Sequence, residues 1–164
     1  MARDEIVALF DETGAVVGSA PRWKVRGENL IHGATGVIVR DSSGRIYVHR
    51  RTDTKDVYPG YYDFTAGGVL LAGEDPREAA VREACEELGV AGVALRSLGE
   101  GFYADEHTRY YGFRFECVYD GPIRHQAEEV AWGAWLTPDD LRAWIEDPDK
   151  PFMPDALALL GQFV

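Results

Sequence analysis

The chain has 164 residues, 46% of them hydrophobic and 27% charged, which is the composition of one ordinary globular domain over residues 1–164. Its formal net charge of −11 opposes binding to a nucleic-acid polymer or to an anionic membrane surface, and no apolar run approaches the roughly 20 residues that span a bilayer. Two cysteines and an N-terminus without an apolar signal segment argue against a disulfide framework or a four-cysteine zinc site, so we expect a cytoplasmic protein.

The predicted elements interleave strands with helices along the whole chain. Strands are predicted at residues 6–10, 15–18, 34–40, 45–50, 61–66, 92–103, 109–119 and 132–136. Helices are predicted at residues 76–88, 137–147 and 154–163, and residues 22–29 are either a short helix or irregular. This order predicts an α/β fold in which helices cover both faces of a central mixed sheet.

The helix at residues 76–88 has clear signals at both ends. Asp75 is a suitable N-cap, Pro76 fits the first helical position, and Gly89 supplies the C-terminal stop. At about 100° per residue, one stripe of this helix is predicted to be buried, namely Val81, Ala84, Cys85 and Leu88.

Three carboxylates share another face of this helix. Glu83, Glu86 and Glu87 are three and four residues apart, and each such like-charge pair costs a helix roughly 0.2–0.5 kcal/mol. The cluster therefore favours a bound cation, and hard oxygen ligands suit Mg²⁺, Mn²⁺ or Ca²⁺. Arg82 precedes Glu86 by one turn and can neutralise part of the charge. The pattern predicts a divalent-metal site.

Residues 68–90 fit the spacing Gly-x5-Glu-x7-Arg-Glu-hydrophobic-x-Glu-Glu-x-Gly-hydrophobic. With seven fixed residues, a chance match in this chain is on the order of one in a million. The pattern resembles the Nudix box, complete and ungapped, with a small Ala84 where a larger apolar residue is usual. The resemblance implies a Nudix hydrolase: an α/β/α sandwich with a loop-helix-loop box, preceded by an N-terminal strand and extension at residues 1–32. Such an enzyme cleaves a diphosphate linked to another group.

The resemblance also implies roles for the box residues. Glu83, Glu86 and Glu87 would ligate one to three Mg²⁺ ions, with Mn²⁺ as the alternative, together with the Gly67 carbonyl. Arg82 would orient Glu83. Glu74 would contact the residues around the metal ions rather than the ions themselves.

The resemblance leaves two origins open for the general base. It is either Glu83 or a carboxylate of a downstream loop, where Glu128 and Glu129 precede a predicted strand.

Basic residues gather in two groups of a size suited to a diphosphate, namely Arg22, Lys24 and Arg26, and Arg45, Arg50, Arg51 and Lys55. Arg51 and Lys55, with the neighbouring Tyr58-Pro-Gly60, resemble the branch of the family that includes isopentenyl-diphosphate isomerase and its hydrolase-like relatives. In that branch, the Arg51 and Lys55 positions hold the diphosphate, as a guanidinium fork and a point charge can do.

The isomerase itself is the first competing interpretation. Its catalytic cysteine position is Gly67 here, and its metal-binding histidines are replaced at Val69 and Val25. Only His32 of that set remains. A non-catalytic nucleotide sensor is the second alternative, but such domains usually have an eroded box, whereas every acidic position is intact here.

Two features of other Nudix members are missing from this sequence, and their absence favours nucleoside 5′-di- or triphosphates as the substrates. Residues 91–121 contain no proline, which ADP-sugar members usually carry there, and the zinc-site cysteines of many NADH-cleaving members are missing. We therefore expect a small-molecule nucleotide substrate and a nucleoside monophosphate product. The sequence does not identify the nucleobase of the substrate. It also leaves the oligomeric state open, with a homodimer as one option.

Overall fold

The structure is a computed structural model that describes residues 2–164. It contains eight strands: β1 Ile6–Phe10, β2 Val16–Pro21, β3 Ile31–Arg40, β4 Ile46–Arg51, β5 Tyr62–Asp63, β6 Arg96–Ala104, β7 Arg109–Val118 and β8 Val130–Leu136. It contains four α-helices: α1 Arg22–Glu28, α2 Pro76–Leu88, α3 Pro138–Glu146 and α4 Pro154–Leu160. Short 3-10 turns lie at Ala2–Asp4 and Gly161–Phe163. Residues 22–28 are thus helical, and the strand predicted at residues 61–66 is reduced to β5.

The strands form one mixed sheet, in which β3 is the central strand. It runs parallel to β7 over its whole length, from Ile31 opposite Arg109 to Arg40 opposite Val118. Antiparallel partners flank the two ends of β3, with β1 paired at His32 and β4 at Arg40. β4 in turn pairs with β5 and β8, and β7 pairs with β6.

Helices cover both faces of this sheet, as the sequence predicts. Along β3, Val37 and Val39 belong to the cluster that includes Ala84 of α2. The intervening Ile38 belongs to the opposite cluster, with Leu141 of α3 and Leu160 of α4. Successive side chains of a strand point to opposite faces, so this alternation places α2 on one side and α3 and α4 on the other.

The limits of α2 agree with the prediction. The Asp75 carboxylate accepts hydrogen bonds from the amides of Arg77 and Glu78 at 3.0 and 3.1 Å. Gly89 follows the last turn with a φ of 73°, a left-handed conformation that costs glycine little.

The predicted buried stripe of α2 is partly wrong. Val81 is 47% exposed, and Cys85 is only partly buried. The side of the helix that faces the sheet consists of Ala79, Ala80, Ala84, Glu87 and Leu88. A carboxylate therefore shares the buried face, because a polar partner on β4 lies beneath it.

Within residues 2–164, no helix is long and apolar enough to cross a membrane.

Candidate active site

Arg82 gathers the carboxylates of the box. Its guanidinium donates to both carboxylate oxygens of Glu74, from Nε at 2.7 Å and from Nη2 at 2.9 Å. Its Nη1 donates to Glu83 at 3.0 Å and to Glu86 at 3.3 Å. These bonds raise the pKa of Arg82 and lower that of Glu74, the hydrogen bond between the two being the main cause of both shifts. Arg82 thus contacts Glu83, the residue that it is predicted to orient.

Glu87 lies deeper than the other acids of α2. It is 7% exposed, and burial together with the nearby charges of Glu83 and Asp63 raises its pKa. His49 on β4 lies beneath it, with 3.3 Å between Nε2 and the Glu87 Oε1 atom. Burial lowers the pKa of His49 to about 3, so the ring is neutral and can donate one hydrogen bond to Glu87.

Two glycines shape the entrance to α2. The amide of Thr35 on β3 donates to the Gly68 carbonyl at 2.9 Å, which holds the segment against the sheet. A Cβ atom on Gly67 would lie 1.9 Å from the Thr35 carbonyl oxygen, so no side chain fits on this backbone. A Cβ atom on Gly68 would lie 2.7 Å from the carboxyl carbon of Glu83. The missing side chain at Gly68 is what leaves room for the Glu83 carboxylate.

The donor set at this site suits a hard divalent cation. Glu83, Glu86 and Glu87 offer carboxylate oxygens, and no described residue donates a hydrogen bond to the Gly67 carbonyl. Burial raises the pKa of Glu83 as well as that of Glu87, so both would gain from a neighbouring positive charge. Among residues 2–164, no three acidic, histidine or cysteine side chains already converge as a ligand cluster. Arg82 contacts one oxygen of Glu83 and one of Glu86, so the other oxygen of each carboxylate is available to an ion.

A cavity of about 100 Å³ adjoins the box entrance and is lined by Gly67 and Gly68. Five cations also line it: Arg22 and Arg26 of α1, Arg51 at the end of β4, Lys55 in the loop that follows, and Arg114 of β7. The structure thus brings together part of each predicted basic group. It leaves out the exposed Lys24, and Arg45 and Arg50, which form ion pairs with Asp41 and Asp53.

The two downstream glutamates have different surroundings. Glu129 forms an ion pair with Lys55, so it lies at the edge of the cationic cavity. The side chain of Glu128 is exposed, and its carbonyl accepts a hydrogen bond from the Thr52 hydroxyl at 3.0 Å.

Two aspartates lie among the cations: Asp63 is buried and Asp155 is half-buried. Asp63 is 7% exposed, and its Oδ1 accepts hydrogen bonds from the Thr65 amide and hydroxyl, both at 2.9 Å. Burial, followed by the charge of Asp155, raises the pKa of Asp63 to about 7. Asp155, on α4, accepts a hydrogen bond from the Tyr110 hydroxyl at 2.6 Å. The cavity therefore offers acceptors as well as positive charge.

A second cavity, of about 430 Å³, shares Arg26 and Val57 with the first one. Its walls include Tyr58, Tyr61 and His107. The ring centroids of the two tyrosines are 5.0 Å apart, and that of His107 is 5.4 Å from Tyr58. A planar ring could stack against these walls.

Comparison with known proteins identifies the family. The NUDIX domain family matches this chain over residues 30–156, which is most of its length. The chain belongs to the Nudix family. The predicted Nudix fold and the prediction of an enzyme are thereby confirmed, and Nudix hydrolases generally use divalent metal ions.

Several relatives of this Nudix hydrolase cover nearly all of it. It is 47% identical to an uncharacterized Nudix hydrolase, orf19, of Rhodococcus erythropolis, over 98% of this chain and 92% of that protein. It is 42% identical to the uncharacterized Nudix hydrolase YfcD of Escherichia coli K12, over 98% and 87% of the two chains. Among solved structures, DR0079 of Deinococcus radiodurans has a TM-score of 0.81 at 27% identity, covering 96% of this chain and 98% of that one. The NUDIX domain of Shewanella oneidensis NrtR, solved with ADP ribose, shares the fold, with a TM-score of 0.64 at 14% identity over 80% and 84% of the chains.

His49 and Asp155 are not among the site residues that the sequence of this Nudix hydrolase predicts. Strand alternation offered a signal for His49, because residues two apart on a strand share a face, and Tyr47 and Arg51 are its neighbours at that spacing. Asp155 had no local signal, since it reaches the cavity only through the packing of α4.

Proposed function

We propose that this Nudix hydrolase cleaves the diphosphate linkage of nucleoside 5′-di- or triphosphates in a Mg²⁺-dependent reaction, leaving a nucleoside monophosphate and phosphate or pyrophosphate. The observation that carries the proposal is the cavity in which Arg22, Arg26, Arg51 and Lys55 meet the box entrance. A diphosphate bound by these cations lies beside the carboxylate face of α2. The substrate is a small nucleotide, and we place the reaction in the cytoplasm, without binding to membranes or nucleic-acid polymers.

Glu83, Glu86, Glu87 and the Gly67 carbonyl are the residues that would hold one to three Mg²⁺ or Mn²⁺ ions. Such ions neutralise charge on phosphate oxygens and lower the pKa of the attacking water. His49 fixes the Glu87 carboxylate from below, and Arg82 with Glu74 fixes the side of the helix that carries Glu83. We infer that these contacts position the ligands.

The contacts of Lys55 support a role for Glu129 in proton transfer. Lys55 and Glu129 are paired, and a bound diphosphate competes with Glu129 for the ammonium group. A substrate that takes over Lys55 leaves the Glu129 carboxylate free to accept a proton. Glu128 has no such contact, so Glu129 is the stronger candidate of the downstream pair, with Glu83 as the alternative base.

The surroundings of Gly67 weigh against isopentenyl-diphosphate isomerisation. That reaction needs a cysteine at this position by resemblance, yet even a Cβ atom would lie 1.9 Å from the Thr35 carbonyl oxygen. The resemblance of Arg51 and Lys55 to the isomerase branch therefore supports a shared way of holding the diphosphate, followed by hydrolysis.

The aromatic walls of the adjoining cavity support a nucleoside as the group attached to the diphosphate. Tyr58, Tyr61 and His107 can stack on a base.

A product assay tests the proposal. Nucleoside di- and triphosphates and isopentenyl diphosphate are incubated with the enzyme, with Mg²⁺ or with a chelator, and the products are separated by chromatography. We expect Mg²⁺-dependent nucleoside monophosphate and no isoprenoid isomer. Failure to cleave any nucleotide, or interconversion of isoprenyl diphosphates, would contradict the proposal.

A further inference from the structure

Unpartnered polar atoms are concentrated in the cationic cavity. Among residues 2–164, five buried side-chain nitrogen or oxygen atoms have no hydrogen-bond partner, and four of these belong to residues that line this cavity. The four atoms are Thr35 Oγ1, Arg51 Nε, Arg114 Nε and Asp155 Oδ1. Buried polar groups are rarely left unpaired in folded proteins. A ligand bound in this cavity can supply the missing partners.

The four atoms require two kinds of partner. The nitrogen atoms of Arg51 and Arg114 are donors, and phosphate oxygens can accept from them. The Asp155 oxygen is an acceptor in the ionised acid, so a phosphate group cannot satisfy it and would be repelled by its charge. A ligand that satisfies the whole set therefore carries a hydrogen-bond donor in addition to its anionic group.

Asp155 is held in a fixed orientation. The Tyr110 hydroxyl donates to its Oδ2 at 2.6 Å, which leaves Oδ1 as the available oxygen. The neighbouring Asp63 differs in this respect, because its Oδ1 already accepts two hydrogen bonds from Thr65. Burial raises the pKa of Asp155, although the Tyr110 hydrogen bond, the backbone amides of Asp155 and Ala156 and the charge of Arg51 act in the opposite direction. Oδ1 is the oxygen of this acid for which the described residues supply no hydrogen-bond partner.

We propose that Asp155 Oδ1 accepts a hydrogen bond from an uncharged O–H or N–H group of the substrate, so that the site selects diphosphates whose organic part carries such a donor. The inference rests on the proposed function only in taking a diphosphate as the ligand. In a nucleotide the donor is either a sugar hydroxyl or an amino group of the base. Asp155 is then a specificity-determining residue rather than a catalytic one.

The general effect of losing an acid at the start of a helix can be separated from this role with a matched control. Asp139 follows Pro138 at the start of α3, as Asp155 follows Pro154 at the start of α4. Asp139 is 90% exposed and lies outside the cavity. Asp139→Ala therefore removes the same charge from the same helical position without removing the acceptor.

Binding of non-hydrolysable nucleotides tests the proposal. The probes are α,β-methylene analogues of cytidine and uridine 5′-diphosphate and their 2′-deoxy and 3′-deoxy forms, measured by calorimetry with Mg²⁺. In the wild type, we expect at least one of these pairs to differ about 10- to 100-fold in Kd, the range for a hydrogen bond to a charged group. A preference over the deoxy forms identifies a sugar hydroxyl as the donor, and a preference for cytidine over uridine, in which a carbonyl replaces the amino group and N3 gains a hydrogen, identifies the amino group.

The variants then test whether Asp155 causes this difference in Kd between the two probes. Asp155→Ala should bring that Kd ratio to within about threefold of one, while Asp139→Ala should keep it. Asp155→Asn, which retains a neutral acceptor, should give an intermediate ratio and serves if the alanine variant is unfolded by circular dichroism.

Equal affinities across all pairs in the wild type, no binding of any probe, or an unchanged ratio in the folded Asp155 variants would overturn the inference. A different result is that the protein shows the expected Kd ratios in the wild type and the variants and yet cleaves no diphosphate. That result would contradict the proposed function and leave this inference standing.

Discussion

Replacing Gly68 by alanine is a sharp test of how the box entrance serves the site. The added Cβ would lie 2.7 Å from the carboxyl carbon of Glu83, whereas ordinary contact begins at 3.4 Å. The obstructing group is the end of a flexible side chain rather than backbone, so the carboxylate can move away and the fold is retained. The displacement needed is at least 0.7 Å, the difference between the two distances.

A displacement of that size matters for turnover far more than for stability. Metal–ligand distances tolerate about 0.2 Å, and a misplacement of about 1 Å in an active site can cost about 100-fold in rate. We therefore expect kcat to fall by about 30- to 100-fold in Gly68→Ala, while the free energy of unfolding changes by less than about 1 kcal/mol. Gly67→Ala should behave differently, because its Cβ would meet the Thr35 backbone and should destabilise the fold.

The assay measures kcat with saturating Mg²⁺ on the best nucleotide of the panel, together with urea unfolding of each variant. Gly161→Ala is the control, since a Cβ there meets nothing within 4 Å. If Gly68→Ala keeps kcat within threefold of the wild type, the position of the Glu83 carboxylate is not what the glycine protects. Our account of the entrance would then be wrong.

Three further predictions concern the surrounding residues. Arg51→Ala should lower kcat/KM by about 10- to 100-fold, mainly by raising KM, because the variant lacks a charged donor to the diphosphate. An unchanged KM would show that Arg51 does not bind the substrate. His49→Gln should raise the Mg²⁺ concentration for half-maximal activity by about 10-fold or more, as loss of contacts behind a ligand does; an unchanged Mg²⁺ titration would exclude this role. Asp63 has a folded-state pKa of about 7 against an ordinary 3.8, so its contribution to stability is full below about pH 4 and is lost as the pH rises through 7. A shift of this size corresponds to about 4 kcal/mol. Asp63→Asn should therefore be more stable than the wild type at pH 8 and close to it at pH 4 by urea unfolding, and a pH-independent difference would refute the assignment.

Local signals explain which parts of the molecule could be predicted from the sequence. The limits of α2 are set by Asp75, Pro76 and Gly89, whose effects act within one turn of the helix, so the prediction agrees with the structure. The strand predicted at residues 61–66 is shorter because only Tyr62 and Asp63 pair with β4, while Ala66 bridges β3. That difference depends on neighbours distant in sequence.

The burial of Glu87 could not be obtained from helical periodicity. Periodicity gives the angles between side chains, but it does not tell which face packs when apolar and acidic residues lie close together on the helix. His49 on β4 is the polar partner of the buried Glu87, and the two residues are 38 positions apart in the sequence. Asp155 joins the cavity through Tyr110, which is 45 residues distant. Contacts of this kind follow from tertiary packing, and no local pattern encodes them.

The assigned metal site on α2 is tested by the Mg²⁺ dependence of nucleoside monophosphate formation in acid-to-amide variants of this helix. Glu86→Gln and Glu87→Gln each keep the size of the side chain and remove a charge predicted to bind metal. Glu78→Gln makes the same change at an exposed position of the same helix and serves as the control. We expect Mg²⁺-dependent turnover to fall about 100-fold or more in the first two variants and to persist in the control, with all three folded. Wild-type turnover in both Glu86→Gln and Glu87→Gln would contradict the assignment of the site.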